Sequence, residues 1–125
     1  MTFLNSLSIQ REDEPESKVL YVVGTPIGNL NDISSRSKKI LSKVSFIACE
    51  DTRHTKKLLN ALDIKNKLIS FNEFNSDTKI DFIIGKLKEG FSVALVTDAG
   101  LPAISDPGEY LIKHARLNNL DVRSE

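Results

Sequence analysis

The stretch from Phe91 to Gly108, FSVALVTDAGLPAISDPG, restricts the fold more than any other part of the chain. Its first half, through Thr97, is rich in apolar and β-branched residues, which suits a strand covered on both faces, as in a parallel sheet. Its second half carries Gly100, Pro102 and Pro107 and cannot continue as regular structure. Asp106-Pro107 then supplies a capping side chain followed by a ring whose fixed φ suits the first helical position. The expected order is a strand ending at Asp98, a loop to Ser105, and a helix from near Asp106 to about Leu117. Ligands of open α/β sheets bind beyond the carboxyl ends of strands. Asp98 and the loop after it, where Gly100 permits close approach to the backbone, are therefore the first candidate site.

The same unit recurs along the chain. Lys18 to Val23, KVLYVV, reads as the first strand and runs into GTPIGNLND, where two glycines and a proline end regular pairing and Asp32 is placed to cap a helix. Ile33, Ile40, Leu41 and Val44 follow at helical spacing, with Arg36, Lys38, Lys39 and Lys43 largely between them. Ser45 to Cys49 reads as a second strand, and Glu50-Asp51-Thr52 opens a helix with Leu58, Leu59 and Leu62 inward. Lys67 to Phe71 is the third strand and Asn72 to Asn75 its loop; Ser76 is placed to cap a helix with Ile80, Ile83, Ile84 and Leu87 inward, ended by Gly90. The last helix turns Leu111, Ile112 and Ala115 inward, Asn118-Asn119 turns the chain, and Leu120 to Arg123 is a fifth strand. This βαβαβαβαβ order predicts an α/β fold, a parallel sheet of about five strands with helices on both faces and right-handed crossovers. All strand ends then share one side, so Gly24–Asn29, Glu50–His54 and Asp98–Ser105 converge, with Asn72–Asn75 beside them.

Composition narrows the class. A chain of 125 residues, 40% hydrophobic and 27% charged, suits one soluble domain that buries on the order of two-thirds of its unfolded surface. No apolar run is long enough to span a membrane. The first seventeen residues have too short an apolar core and too many acids for a secretory signal; they read as a flexible leader, in a cytoplasmic protein. Cys49 is the one cysteine, so an internal disulfide is excluded, and its apolar surroundings suit a buried small side chain. The net charge of zero hides an uneven distribution: residues 1–17 hold one basic and four acidic side chains, whereas 36–67 hold nine basic and three acidic ones. Such a segment attracts phosphates, although two solvated helix faces give the same composition.

Other chemistries find little support. GTPIGN lacks the Gly-Lys-Ser/Thr ending of a nucleotide P-loop and the spacing of a dinucleotide fold. Glu50, Asp51 and His54 share a helix face but read as a helix start, and His114 as a surface residue, so no metal is expected. No GxSxG elbow occurs.

Four stretches in order, LYVVGTPIGNLNDIS, ACEDTRHTKKLL, SFNEFN and VALVTDAGLPAISDPG, resemble the ribosomal RNA small subunit methyltransferase I family, part of the tetrapyrrole methylase superfamily. The resemblance covers about Val19 to Val122. It implies a two-domain enzyme that uses S-adenosyl-L-methionine to methylate the ribose 2′-hydroxyl of a cytidine in small-subunit rRNA, with the cofactor folded between the domains. On this comparison the chain divides into a leader over 1–17 and an N-terminal α/β domain over 18–125, the C-terminal domain being absent from the chain and the fragment expected to be inactive alone. Carried over residue by residue, Thr25, Pro26 and Ile27 border the cofactor from the first loop, and Asp98, Gly100, Leu101 and Pro102 from the central one. Arg53 and Glu73 are the implied catalytic residues, with His54 beside Arg53, facing the RNA or ordering the cleft. Where family members commonly carry histidines around that glutamate, this chain has Asn72 and Phe74, which cannot relay protons. A small-subunit rRNA or ribosomal subunit partner and a homodimer are also implied. Two rivals are a methyltransferase acting on a tetrapyrrole, which calls for an apolar pocket, and a non-catalytic domain that binds RNA or nucleotide.

Overall fold

The computed structural model describes residues 15–25, 32–98 and 106–125. Five strands and four helices alternate through it: β1 (Val19–Thr25), α1 (Ser35–Lys43), β2 (Phe46–Cys49), α2 (Thr52–Ala61), β3 (Leu68–Ser70), α3 (Ser76–Lys88), β4 (Val93–Asp98), α4 (Asp106–Leu117) and β5 (Asp121–Ser124). The strands form one sheet in the order β3-β2-β4-β1-β5, and every pairing is parallel. The α/β reading therefore holds.

The helices divide between the two faces as the strand periodicity requires. On one face Val19, Tyr21, Val23, Ile47, Cys49, Ala94 and Val96 meet Ile40 and Leu41 of α1 and Leu59 of α2. On the other, Leu20, Phe46, Ala48, Val93 and Leu95 meet Ile80, Ile83, Ile84 and Leu87 of α3 and Leu111 and Ala115 of α4. Successive residues of β1, β2 and β4 thus serve opposite cores, which explains why these strands read as unbroken apolar runs. Tyr21 is 1% exposed, and its hydroxyl accepts the Glu16 amide at 2.9 Å, so the ring is buried with its polar tip satisfied. Cys49 is likewise buried, as a small core side chain.

Several boundaries differ from the sequence reading, each for a local reason. The first strand runs two residues past Val23: Gly24 pairs with Thr97 and Thr25 with Asp98, so the glycine joins the ladder and the loop starts later. The cap of α1 is Ser34, not Asp32; its backbone is extended and its hydroxyl accepts the Ser37 amide at 3.0 Å, a reach available only to the residue immediately before the helix. Asn75, not Ser76, occupies the N-cap of α3, and its side chain turns back toward Ser70 and Asn72. Leu62 and Ile112 are only partly buried. The remaining terminators behave as expected: Gly90 follows α3 at φ 109°, and Asn119 makes the last turn at φ 60°.

The expected leader lies outside the described residues as far as residue 14. Its end is attached. Glu16 forms an ion pair with Arg123 of β5, and that guanidinium holds the Glu16 carboxyl below its usual range. No helix among the described residues is long and apolar enough to cross a membrane.

Candidate functional site at the carboxyl edge of the sheet

Because all five strands are parallel, their carboxyl ends form a single rim, and the lateral order along it is Ser70, Cys49, Asp98, Thr25 and Ser124. The rim is stepped. The β2–β4 ladder stops at Cys49 opposite Val96, whereas the β1–β4 ladder continues to Thr25 opposite Asp98. The last two residues of β4 therefore project beyond the point where β2 leaves for α2.

The connections diverge at the same place. From β1 the chain passes to α1 on one face, and from β4 to α4 on the opposite face. Adjacent strands whose exits part in this way open a crevice, the usual ligand position in doubly wound sheets. The two strands are also tied together at the rim: the Thr25 hydroxyl, on a residue 6% exposed, donates to the Thr97 carbonyl at 3.2 Å.

Of the expected cofactor residues, Thr25 and Asp98 are described, at the two strand ends that flank the crevice. Thr25 is at its edge, and Asp98 closes β4, its side chain lying outside the description. Pro26 and Ile27 follow directly on Thr25, and Gly100, Leu101 and Pro102 come just after Asp98; all five lie outside the described residues.

The two expected catalytic residues occupy the same rim farther along. Arg53 and His54 form the first turn of α2, where the Asp51 carboxylate, as N-cap, accepts their amides at 3.0 and 3.2 Å. Those bonds, the His54 one foremost, hold the Asp51 carboxyl below its usual range, and the nearby positive side chains add to the effect. Arg53 and His54 themselves are exposed. Glu73 is exposed in the turn after β3. With neighbouring strands about 4.8 Å apart, Thr25 stands about 10 Å across the sheet from the end of β2 and about 14 Å from that of β3. The fold thus puts Thr25, Arg53 and Glu73 on one rim.

Two features were missed from sequence. Asn72 and Asn75 brace the turn that carries Glu73: the Asn72 amide donates to Asn75 Oδ1 and the Phe74 amide to Asn72 Oδ1, both at 2.9 Å, while Asn75 Nδ2 donates to the Ser70 carbonyl at 3.3 Å. The N-x-x-N spacing was the available signal, since Asn side chains commonly close such turns. The second is a groove between α2 and the segment entering β3, lined by Arg53, Lys56, Lys65 and Lys67 together with Leu59, Ile64 and Leu68. Among the described residues, no group of three or more His, Cys, Asp or Glu side chains is placed to hold a metal.

Comparison with known proteins converges on one family. The pattern of the Tetrapyrrole (Corrin/Porphyrin) Methylases matches residues 19–124. Proteins named Ribosomal RNA small subunit methyltransferase I from Mycoplasmopsis pulmonis, Halalkalibacterium halodurans and Thermotoga maritima are 48%, 51% and 52% identical over 103, 106 and 103 residues. The matches cover 82%, 85% and 82% of this chain, but 46%, 36% and 46% of those relatives, so the chain spans less than half their length. With its five-stranded parallel sheet and a match running almost from β1 to the end, the chain belongs to the tetrapyrrole (corrin/porphyrin) methylase family.

Proposed function

We propose that this chain is the cofactor-binding half of an S-adenosyl-L-methionine-dependent rRNA methyltransferase that modifies the ribose 2′-hydroxyl of a cytidine in small-subunit rRNA. The observation that carries the reading is the paired, diverging ends of β1 and β4, in a chain whose relatives are named for rRNA methylation. A second domain completes the cleft, so this half alone binds the methyl donor weakly and is inactive. Association as a homodimer and action on the ribosomal subunit in the cytoplasm belong to the same proposal; Tyr110 and Leu117, 56% and 69% exposed at i and i+7 on α4, offer an apolar contact face.

The crevice suits such a cofactor chemically. The overhanging end of β4 offers main-chain groups, and Asp98 is a carboxylate able to accept hydrogen bonds from ribose hydroxyls or an ammonium. S-adenosylmethionine, when bound, supplies a methyl group activated by its sulfonium. The protein then has to hold donor and hydroxyl at attack distance and keep water out. Thr25 contributes by locking β1 to β4, so that the segments 26–27 and 99–102 leave from fixed points. A ribose hydroxyl is a weak acid and needs a base or a stabilising cation as its proton departs. In this proposal Glu73, held outward by the Asn72–Asn75 brace, and Arg53, held by the Asp51 cap, fill those two roles. A tetrapyrrole substrate is the alternative reading, and it would leave the lysines flanking Arg53 without a role.

The test is Asp98→Ala in a protein that contains this chain together with the remaining length of its relatives. Calorimetric affinity for S-adenosylmethionine is expected to fall at least tenfold, with little change in melting temperature. Unchanged affinity with a lowered melting temperature makes the carboxylate structural and removes it from the site.

A further inference from the structure

The positive segment 36–67 does not behave as one surface. Arg36 is paired with Glu125 at 2.9 Å across the end of β5. Lys38, Lys39 and Lys43 belong to α1. A separate set converges between α2 and the segment entering β3. Arg53 and Lys56 lie along the helix at i and i+3, Asn60 continues the stripe one turn on, and Lys65 and Lys67 come from the segment leading into β3. These residues line a groove whose floor includes Leu59 and Ile64, both buried, and among the described residues no acidic side chain contributes to its lining.

The groove is held in shape from beneath. Asn66 donates from Nδ2 to the carbonyls of Leu41 and Val44, each at 2.8 Å, and its Oδ1 accepts the Lys67 amide at 2.7 Å. This anchors the segment to the end of α1 and fixes Lys65 and Lys67 on either side of the anchor. Among the described residues, Lys56, Lys65 and Lys67 form no ion pair. Since α2 descends from the rim at about 1.5 Å per residue, its ten residues carry the groove about 15 Å away from the crevice.

We infer that this groove is an exosite for the phosphodiester backbone of RNA, which holds the substrate strand beyond the point of methylation without reading its sequence. The inference rests on the rRNA reading of the site. Three exposed ammonium groups along a concave, acid-free path match a chain of phosphates. A membrane surface is a poorer match, since interfacial binding needs protruding apolar side chains and here Leu59 and Ile64 are recessed.

The test compares two variants with equal loss of charge, Lys56→Gln/Lys65→Gln/Lys67→Gln in the groove and Lys38→Gln/Lys39→Gln/Lys43→Gln on α1. Binding of a fluorescein-labelled single-stranded RNA dodecamer is followed by anisotropy over a salt series, with far-UV circular dichroism to establish folding. The groove variant is expected to bind at least tenfold more weakly, with a salt slope lower by about 2, given about 0.7 per phosphate contact on a single strand. The α1 variant is expected to change affinity less than threefold. Equal losses in both variants, no loss in the groove variant, no RNA binding by the unsubstituted protein, or a groove that captures anionic vesicles instead of RNA each overturn the exosite. S-adenosylmethionine binding, measured in parallel on the longer protein, tests the underlying reading separately.

Discussion

Replacing Thr25 with Val tests whether the rim between β1 and β4 is a built feature. The substitution keeps the β-branched shape and removes the hydroxyl that donates to the Thr97 carbonyl at 3.2 Å. At a residue 6% exposed, water cannot readily replace that donor. A net hydrogen bond is worth about 0.5–1.5 kcal/mol, and the added methyl group recovers part of it. The expected loss is therefore about 1 kcal/mol, which lowers the melting temperature by roughly 3–5 °C for a domain of this size. Thermal unfolding followed by circular dichroism measures the first effect, and calorimetry with S-adenosylmethionine on the longer protein measures the second. If the tie positions the two loops that hold the donor, affinity falls several-fold in Thr25→Val and returns in Thr25→Ser. A variant that melts and binds like the unsubstituted protein would refute the reasoning.

Three further outcomes are expected. Asp51 and Glu16 both have carboxyls held below their usual values, so the stability they add is fully present above their unfolded pKa values of about 4 and is lost as the pH falls through the lower folded ones; denaturant titrations below pH 5 should show Asp51→Asn losing less stability on acidification than the parent. Ile47→Ala, at a position 0% exposed in the core beneath α1 and α2, should cost about 2–5 kcal/mol in the same titrations. Gly90→Ala forces a side chain onto φ 109° with nothing crowding the Cβ, so a loss of about 1–3 kcal/mol measures backbone strain alone, and a stability gain would contradict it.

Most of the fold was legible because its signals are local. The buried runs, the helical spacing of Ile80, Ile83, Ile84 and Leu87, and the Asp51 cap each sit within a few residues of sequence, and each element appeared where that signal placed it. Errors arose where two local readings competed: Gly24 is both a breaker and an acceptable strand residue, and the decision came from Thr97, over seventy positions away. Asp32 and Ser34 are both good caps, and only the geometry of the entering chain selects one.

The site was less legible than the fold. That β4 lies between β1 and β2 is a tertiary fact with no short-range trace, yet it is what sets Thr25 opposite Asp98. The family resemblance named Thr25 and Asp98 without supplying that geometry. The groove was hidden for a related reason: Arg53 and Lys56 are separated in sequence from Lys65 and Lys67 by a helix end and a turn, and Asn66, which unites them, looks in sequence like an ordinary loop residue.

The most direct measurement of the central claim is amide hydrogen exchange, with and without saturating S-adenosylmethionine, of a protein that contains this chain together with the remaining length of its relatives. Slower exchange concentrated in peptides covering 22–29 and 95–103, with the peptides of α3 unchanged, is the predicted result. Protection confined to other segments, or no protection at any cofactor concentration, would contradict a methyl-donor site at the diverging ends of β1 and β4.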